Sequence, residues 1–374
     1  MPRGRVTFRG RTLLLSLLLL AGCAGPGSKL ARRVPNPVEV RHVIDSTLPI
    51  GLRDRAGWTA DIAGGFTKLG LPPTRENVCA VVAVIEQESG FQVEPVIPGL
   101  GRMALRAIDE RASHAGVPLV LVHAALDLKS SNGRSYRKRI EAANTEKQLS
   151  DIYEDFVGRV PLGKTLFASW NPIRTRGPMQ VNVAFAEQFE TVKPYPYHDS
   201  RRSLRDELFT RRASIYFGIA HLLDYPAHYD RFLYRFADYN AGQYASRNAA
   251  FQRAASVVAG KPLTADGALL PGDPHAKGAG TTERLLYGIA KKLRLSDDRI
   301  RKALERGPDA SFERTTLYHR VFLLADRKAG RQLPRAVLPR IRLKGPKIVR
   351  PLTTAWYARR VNGRFETCLR KGGG

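Results

Sequence analysis

Three short runs carry side chains suited to chemistry on a sugar. The first is Ile85-Glu86-Gln87-Glu88-Ser89-Gly90-Phe91. Glu88 follows Val81 by seven residues and Ile85 by three, which sets it at the border of an apolar helical stripe. Partial desolvation favours the protonated form of a carboxyl, the form a general acid needs. Gly90 then ends the helix, so Glu88 is expected at the rim of a core rather than inside it. Glu86, two residues earlier, lies about 200° round a 3.6-residue helix and does not share that position. The second run is Arg176-Gly177-Pro178-Met179-Gln180-Val181-Asn182. Gly177 permits a tight turn, Pro178 suits the first turn of a helix, and Gln180 offers a donor and an acceptor to hydroxyl or acetamido groups. The third, Phe236-Ala237-Asp238-Tyr239-Asn240-Ala241-Gly242, supplies a phenol, an amide and a turn glycine. Each run alone also reads as ordinary structure: a last-turn glutamate, a helix start with a core methionine, a polar helix end before a loop.

The elements that must position these runs read as helices, and strand signals are sparse. Trp58, Ile62, Phe66 and Leu69 recur at helical spacing within 53–69. Thr74 is a natural N-cap for the stripe Val78, Val81, Val82 and Ile85. Leu204, Leu208, Ile215, Ile219 and Leu222 mark a further helix over 203–225, and shorter patterns run through 248–258, 283–293 and 316–324. The fold class is therefore mainly α. Residues 92–170 are polar and punctuated by glycine, with helical patterning returning over 136–156; they read as a large insertion. Residues 333–374 hold 11 Lys and Arg against the single acid Glu366, which reads either as a solvated tail or as a footprint for a polyanion.

In order, the three runs resemble the signature of the lytic transglycosylases of the goose-lysozyme-like superfamily: Glu88-Ser89, then Gly177-Pro178-Met179-Gln180, then Tyr239-Asn240-Ala241-Gly242. The resemblance implies a lysozyme-like helical domain over 38–310, carrying the insertion at about 92–170 and followed by a basic C-terminal extension over 311–374. It implies Glu88 as catalytic acid and base, Ser89 and Tyr239 as groups that orient it, and Met179, Gln180 and Asn240 along the sugar groove, with no metal or organic cofactor. Peptidoglycan glycan strands are the implied substrate. Pro178 stands where the family usually has Leu, and Asp238 where it is usually apolar. Glu88 and Gly177 are separated by 88 residues where the family has a short loop. A fourth family motif, acidic with a downstream tyrosine, is only hinted at by Glu283 and Tyr287. Asp238 and Glu94 stay open as a second carboxylate, which a hydrolase of the muramidase type would need. A non-catalytic peptidoglycan-binding lipoprotein is the other reading.

The N-terminus places this chemistry. Arg3, Arg5, Arg9 and Arg11 precede an apolar run, Leu13 to Leu20, too short to span a bilayer. The run ends in Leu20-Ala21-Gly22-Cys23, which resembles the lipobox of bacterial lipoproteins. That implies removal of 1–22, a lipid on Cys23, and a flexible tether through residue 37 rich in Gly and Pro. Ala24, rather than Asp, follows the pattern of lipoproteins sent to the outer membrane, facing the periplasm. The 374 residues carry 61 Lys and Arg against 34 acids, a formal net charge of +27. Losing 1–22 removes four arginines and no acid, so the mature chain keeps +23 and should seek polyanions. The expected compartment argues against nucleic acid. The hydrophobic fraction of 43% excludes a disordered chain. Three cysteines exclude a disulfide-dense scaffold. An oxidising periplasm permits a bridge between Cys79 and Cys368, but a small buried thiol is the favoured reading of Cys79.

Overall fold

The computed structural model describes residues 36–159, 171, 173–271, 278–343 and 350–371. The segment read as a signal peptide, the expected lipidation site Cys23 and the part of the expected tether before residue 36 lie outside these. The described chain is mainly helical. It opens with α1 (Pro37–Thr47), α2 (Arg55–Leu69) and α3 (Arg75–Glu88). Asp54 and Thr74 cap α2 and α3, accepting from the N–H groups of Gly57 and Asn77, both at 3.2 Å. These caps satisfy amide donors that a helix start leaves unpaired.

Next come α4 (Leu100–His114), α5 (Leu119–Asp127), α6 (Tyr136–Ala142) and α7 (Glu146–Arg159). They fall within the segment read as an insertion and build a small core from Leu100, Leu126, Tyr136, Ile140, Leu149 and Ile152, which Ile173 and Phe209 from later in the chain complete. The helical patterning over 136–156 resolves into two helices. Thr145 and Gln148 restart it with a reciprocal capping box, each side chain on the other's N–H at 3.3 Å.

The second motif departs from its expected form. Gly177-Pro178-Met179-Gln180 is not a helix start but the turn of a hairpin between β1 (Thr175–Arg176) and β2 (Val181–Asn182), with Arg176 opposite Val181. Gly177 and Gln180 both have positive φ, 69° and 50°. Pro178 presets a turn conformation as readily as a helical one. The helix begins afterwards, as α8 (Val183–Val192), capped by Asn182.

Then follow α9 (Leu204–Glu207), α10 (Arg211–Leu223), α11 (Phe232–Ala241), α12 (Ala245–Ala259), α13 (Thr281–Tyr287), α14 (Ala290–Leu293), α15 (Asp297–Leu304), a 3-10 turn (Ala310–Arg314), α16 (Thr316–Ala329) and α17 (Thr354–Arg370). The pattern over 203–225 is broken where Thr210 caps α10. Two larger cores result. In the first, α10 packs on α2, and α17 packs on both α3 and α11, burying Trp58, Ile62, Ile85, Phe236, Val361 and Phe365. In the second, α12 packs on α16 around Phe251, Leu286, Ile300, Phe312 and Val321. Burying each such side chain is worth roughly 1.5–3 kcal/mol. Residues 354–370 are therefore part of the first core and not a solvated tail. Among the described residues no helix is long and apolar enough to cross a membrane.

Candidate functional site

Glu88 closes α3, half-buried, where the apolar stripe of that helix runs out. Its carboxyl oxygen Oε1 accepts a short hydrogen bond from the hydroxyl of Tyr357. Tyr239 lies close by, on α11. Burial first, then the charge of Glu88, pushes both phenols well above their ordinary range, so each keeps its proton and acts as a donor. Tyr239 spends that proton on the carbonyl of Met179 at 2.6 Å. Tyr357 thus bonds Glu88 directly, whereas Tyr239 bonds the hairpin and lies within the field of the Glu88 carboxyl. Beneath Tyr239 lies His221, with ring centroids 4.9 Å apart. Its imidazole also stacks on Phe185, and burial pulls its pKa down to about 4, so it is neutral.

Tyr357 was not among the expected site residues. Its signal was present: Tyr357, Ala358, Val361, Phe365 and Cys368 make an apolar stripe at helical spacing. That stripe is interleaved with Arg359, Arg360, Arg364 and Arg370, and the charge dominates a reading by composition. The candidates Glu283 and Tyr287 do not supply this tyrosine. They bond each other at 2.7 Å in the second core, where Arg301 and the Gly280 N–H also hold Glu283.

Three contacts zip α17 antiparallel along α3. Cys79 and Cys368 form a disulfide, with Cα atoms 5.6 Å apart and 289 positions apart in sequence. Glu86 meets Arg364 at 3.4 Å, and Glu88 meets Tyr357. The expectation of an unbridged, buried Cys79 is corrected: the residue is buried and bridged. Sequence sets no Cα separation, and a bridge depends on one.

The other motif residues are placed as follows. Ser89 caps the C-terminus of α3, its hydroxyl on the carbonyl of Ile85 at 3.1 Å rather than on Glu88. Gly177 permits the hairpin to seat: a Cβ there would stand 2.3 Å from the carbonyl oxygen of Leu208, and φ is positive. Met179, expected along the groove, is wholly buried, packed where Gly218 leaves it room. Gln180 accepts from Thr175 at 2.7 Å and donates to Glu146 at 3.1 Å, joining the hairpin to α7. Asn240 accepts from Thr354 at 2.7 Å, joining α11 to α17.

Asp238 does not face Glu88's solvent rim. It is fully buried and accepts from the hydroxyls of Tyr229 (2.7 Å) and Tyr225 (3.1 Å) and from the N–H groups of Tyr244 and Ser246. Burial outweighs these donors and raises its pKa to about 6. It splices α11 to α12 and is unavailable as a second catalytic carboxylate. Glu94 is exposed. Clefts of about 600 and 820 Å³ open elsewhere, and neither is lined by Glu88. Among the described residues no three His, Cys, Asp or Glu side chains gather as a metal site.

Residues 51–371 match the family described as "Protein of unknown function (DUF1615)", and the chain belongs to that family. It is also similar to the uncharacterized protein YaiW of Escherichia coli (strain K12), with 48% identity over 358 residues, covering 96% of this chain and 97% of the relative. No solved structure matches it.

Proposed function

We propose that the chain is a peptidoglycan lytic transglycosylase with a lysozyme-like domain, held at the periplasmic face of the outer membrane by a lipid on Cys23. The observation that carries the reading is the half-buried Glu88 carboxyl, bonded to Tyr357 and flanked by Tyr239 where the three motifs converge. In the reaction Glu88 gives its proton to the glycosidic oxygen between MurNAc and GlcNAc, and the C1–O bond breaks. The substrate's acetamido group assists at C1. The 6-hydroxyl of the same MurNAc then bonds to C1, and its proton returns to Glu88, leaving a 1,6-anhydro sugar without consuming water. One carboxyl suffices for both transfers, which agrees with the burial of Asp238. The same burial weighs against a two-carboxylate muramidase.

A second reading, a non-catalytic peptidoglycan-binding lipoprotein, draws on Gln180 and Asn240, whose side chains are engaged by protein partners. One digest separates the two. Purified protein incubated with sacculi should release anhydro-muropeptides, and the Glu88→Gln variant should release none while still binding. Reducing-end products would point to hydrolysis, and wild-type protein without products would leave the binding module in place.

A further inference from the structure

A cleft of about 600 Å³ lies where the start of α11, one face of α12, the segment 334–338 and α17 meet. It is remote in direction from Glu88. On α17, Arg359 and Asn362 stand about 200° and 140° round the helix from Tyr357. On α11, Leu233 and Tyr234 stand about 120° and 140° from Tyr239. Three exposed guanidiniums, Arg231, Arg253 and Arg359, line this cleft, and no carboxylate does. None of the three has an acidic partner among the described residues.

The contrast with the 820 Å³ cleft decides what this means. That cleft is lined by Lys147 and Arg205 together with four acids, and its bases are answered: Lys147 by Asp151 at 2.7 Å and Arg205 by Glu187 at 3.5 Å. Its charge closes on itself. In the basic cleft three like charges share one concavity, whose low-dielectric walls focus the field and draw in counter-ions. Guanidinium forks match the oxygens of phosphate, and several of them round one centre suit a doubly charged anion better than a single carboxylate. The cleft also has an apolar lining, the buried or half-buried Leu233, Ala336, Val337 and Leu338, and Tyr234 and Asn362 complete it with Pro334. A ligand that used the whole cleft would carry an apolar portion beside its charge.

We propose that this cleft binds the phosphate monoester group of an amphiphilic ligand, with the phosphoryl oxygens on Arg231, Arg253 and Arg359 and the apolar portion on the apolar lining. The site is separate from the Glu88 site and does not depend on its chemistry. Such a group can come from a membrane lipid headgroup or from a soluble phosphate ester.

The test is titration calorimetry of the full mature chain with three probes: dihexanoyl phosphatidic acid below its micelle concentration, dihexanoyl phosphatidylcholine, and inorganic phosphate. Phosphatidic acid should bind, and replacing Arg231, Arg253 and Arg359 together by Ala should weaken it at least tenfold. Replacing the exposed Lys291, Lys292 and Arg299 by Ala removes the same charge elsewhere and should change affinity by less than twofold. Binding should also weaken as salt rises from 0.1 to 1 M, because the Debye length falls from about 10 to 3 Å. Phosphatidic acid far tighter than inorganic phosphate is the expected result; equal affinities would show that the apolar lining takes no part and would overturn the amphiphilic ligand. The proposal is overturned if phosphatidic acid does not bind, if the control triple variant loses as much as the cleft variant, or if phosphatidylcholine binds as well as phosphatidic acid. All six residues are exposed, so melting midpoints should match and loss of fold cannot mimic loss of binding.

Discussion

Two glutamates in this molecule each accept a tyrosine hydroxyl, and they are held in opposite ways. Glu283 takes its tyrosine from one turn along the same helix, Tyr287, and is also held by Arg301 and by the N–H of Gly280. It is 1% exposed; burial pushes its carboxyl up, but these donors together outweigh that and hold it below the usual range. Sitting in the first turn of α13, it also complements the helix dipole. That is a carboxylate fixed in its charged form, a structural pin. Glu88 ends a helix rather than starting one, takes its tyrosine from 269 residues away, and stays open to solvent on one side. A local pair is cheap to form and serves stability. A pair that needs α3, α11 and α17 to be assembled first sets a half-buried carboxyl at a surface, the place from which the proposed acid catalysis would act.

The sharpest way to break this comparison is to make the same substitution at both sites. Glu88→Gln should remove at least 10²-fold of any sacculus-cleaving activity, the usual range of general acid–base catalysis, and leave the melting midpoint unchanged. Glu283→Gln should lower the midpoint by a few degrees and leave activity per folded molecule intact. Melting curves beside turnover measurements check both, and equal behaviour of the two variants would end the distinction.

Cys368→Ser tests what holds Tyr357 on Glu88. Losing a bridge that closes so long a loop costs about 2–5 kcal/mol, seen as a lower denaturant midpoint. Activity should fall with it at temperatures where α17 begins to lift from α3. Retained stability with both thiols alkylated in the unfolded, unreduced wild type would mean that the bridge does not form.

Acid titration probes the layer beneath the site. Asp238, with its pKa raised to about 6 from 3.8, holds a proton in the fold that the unfolded chain has lost. Its contribution is complete below pH 3.8 and is lost as pH rises to about 6. His221, lowered to about 4 from 6.5, does the reverse: its contribution is present above pH 6.5 and is lost as pH falls to about 4. Each is worth about 3 kcal/mol, with opposite sign, so together they nearly cancel between pH 4 and 6.5. Asp238→Asn should expose the histidine, with stability falling on acidification. His221→Phe should expose the aspartate, with stability rising. Denaturant melts at pH 4, 5 and 6.5 read both slopes, and parallel slopes in the two variants would refute the pairing.

The smallest effect is expected at Tyr357→Phe. It removes one hydrogen bond to Glu88 but not the proposed proton donor itself, so any sacculus-cleaving turnover should fall about tenfold with a shifted pH profile and an unchanged fold. Tyr239→Phe, which frees the Met179 carbonyl instead, should move stability more than the pH profile.

Periodicity alone was enough to locate α2, α3, α12 and α16, because burial of one helical face writes a 3.6-residue pattern that neighbours in sequence carry together. It was also enough to set Glu88 at the end of its stripe, and motif order singled out the segments that meet there. Tertiary structure decided the rest. The partner of Cys79, the tyrosine on Glu88 and the burial of Asp238 depend on contacts among distant elements, and such contacts leave no local period to read. The hairpin at Gly177 depended on how closely its backbone approaches Leu208 and Ser214, since Gly-Pro is equally at home in a turn and at a helix start. In α17 the apolar stripe and the basic charge share the same 17 residues; only packing against α3 and α11 determined which of them faces the core.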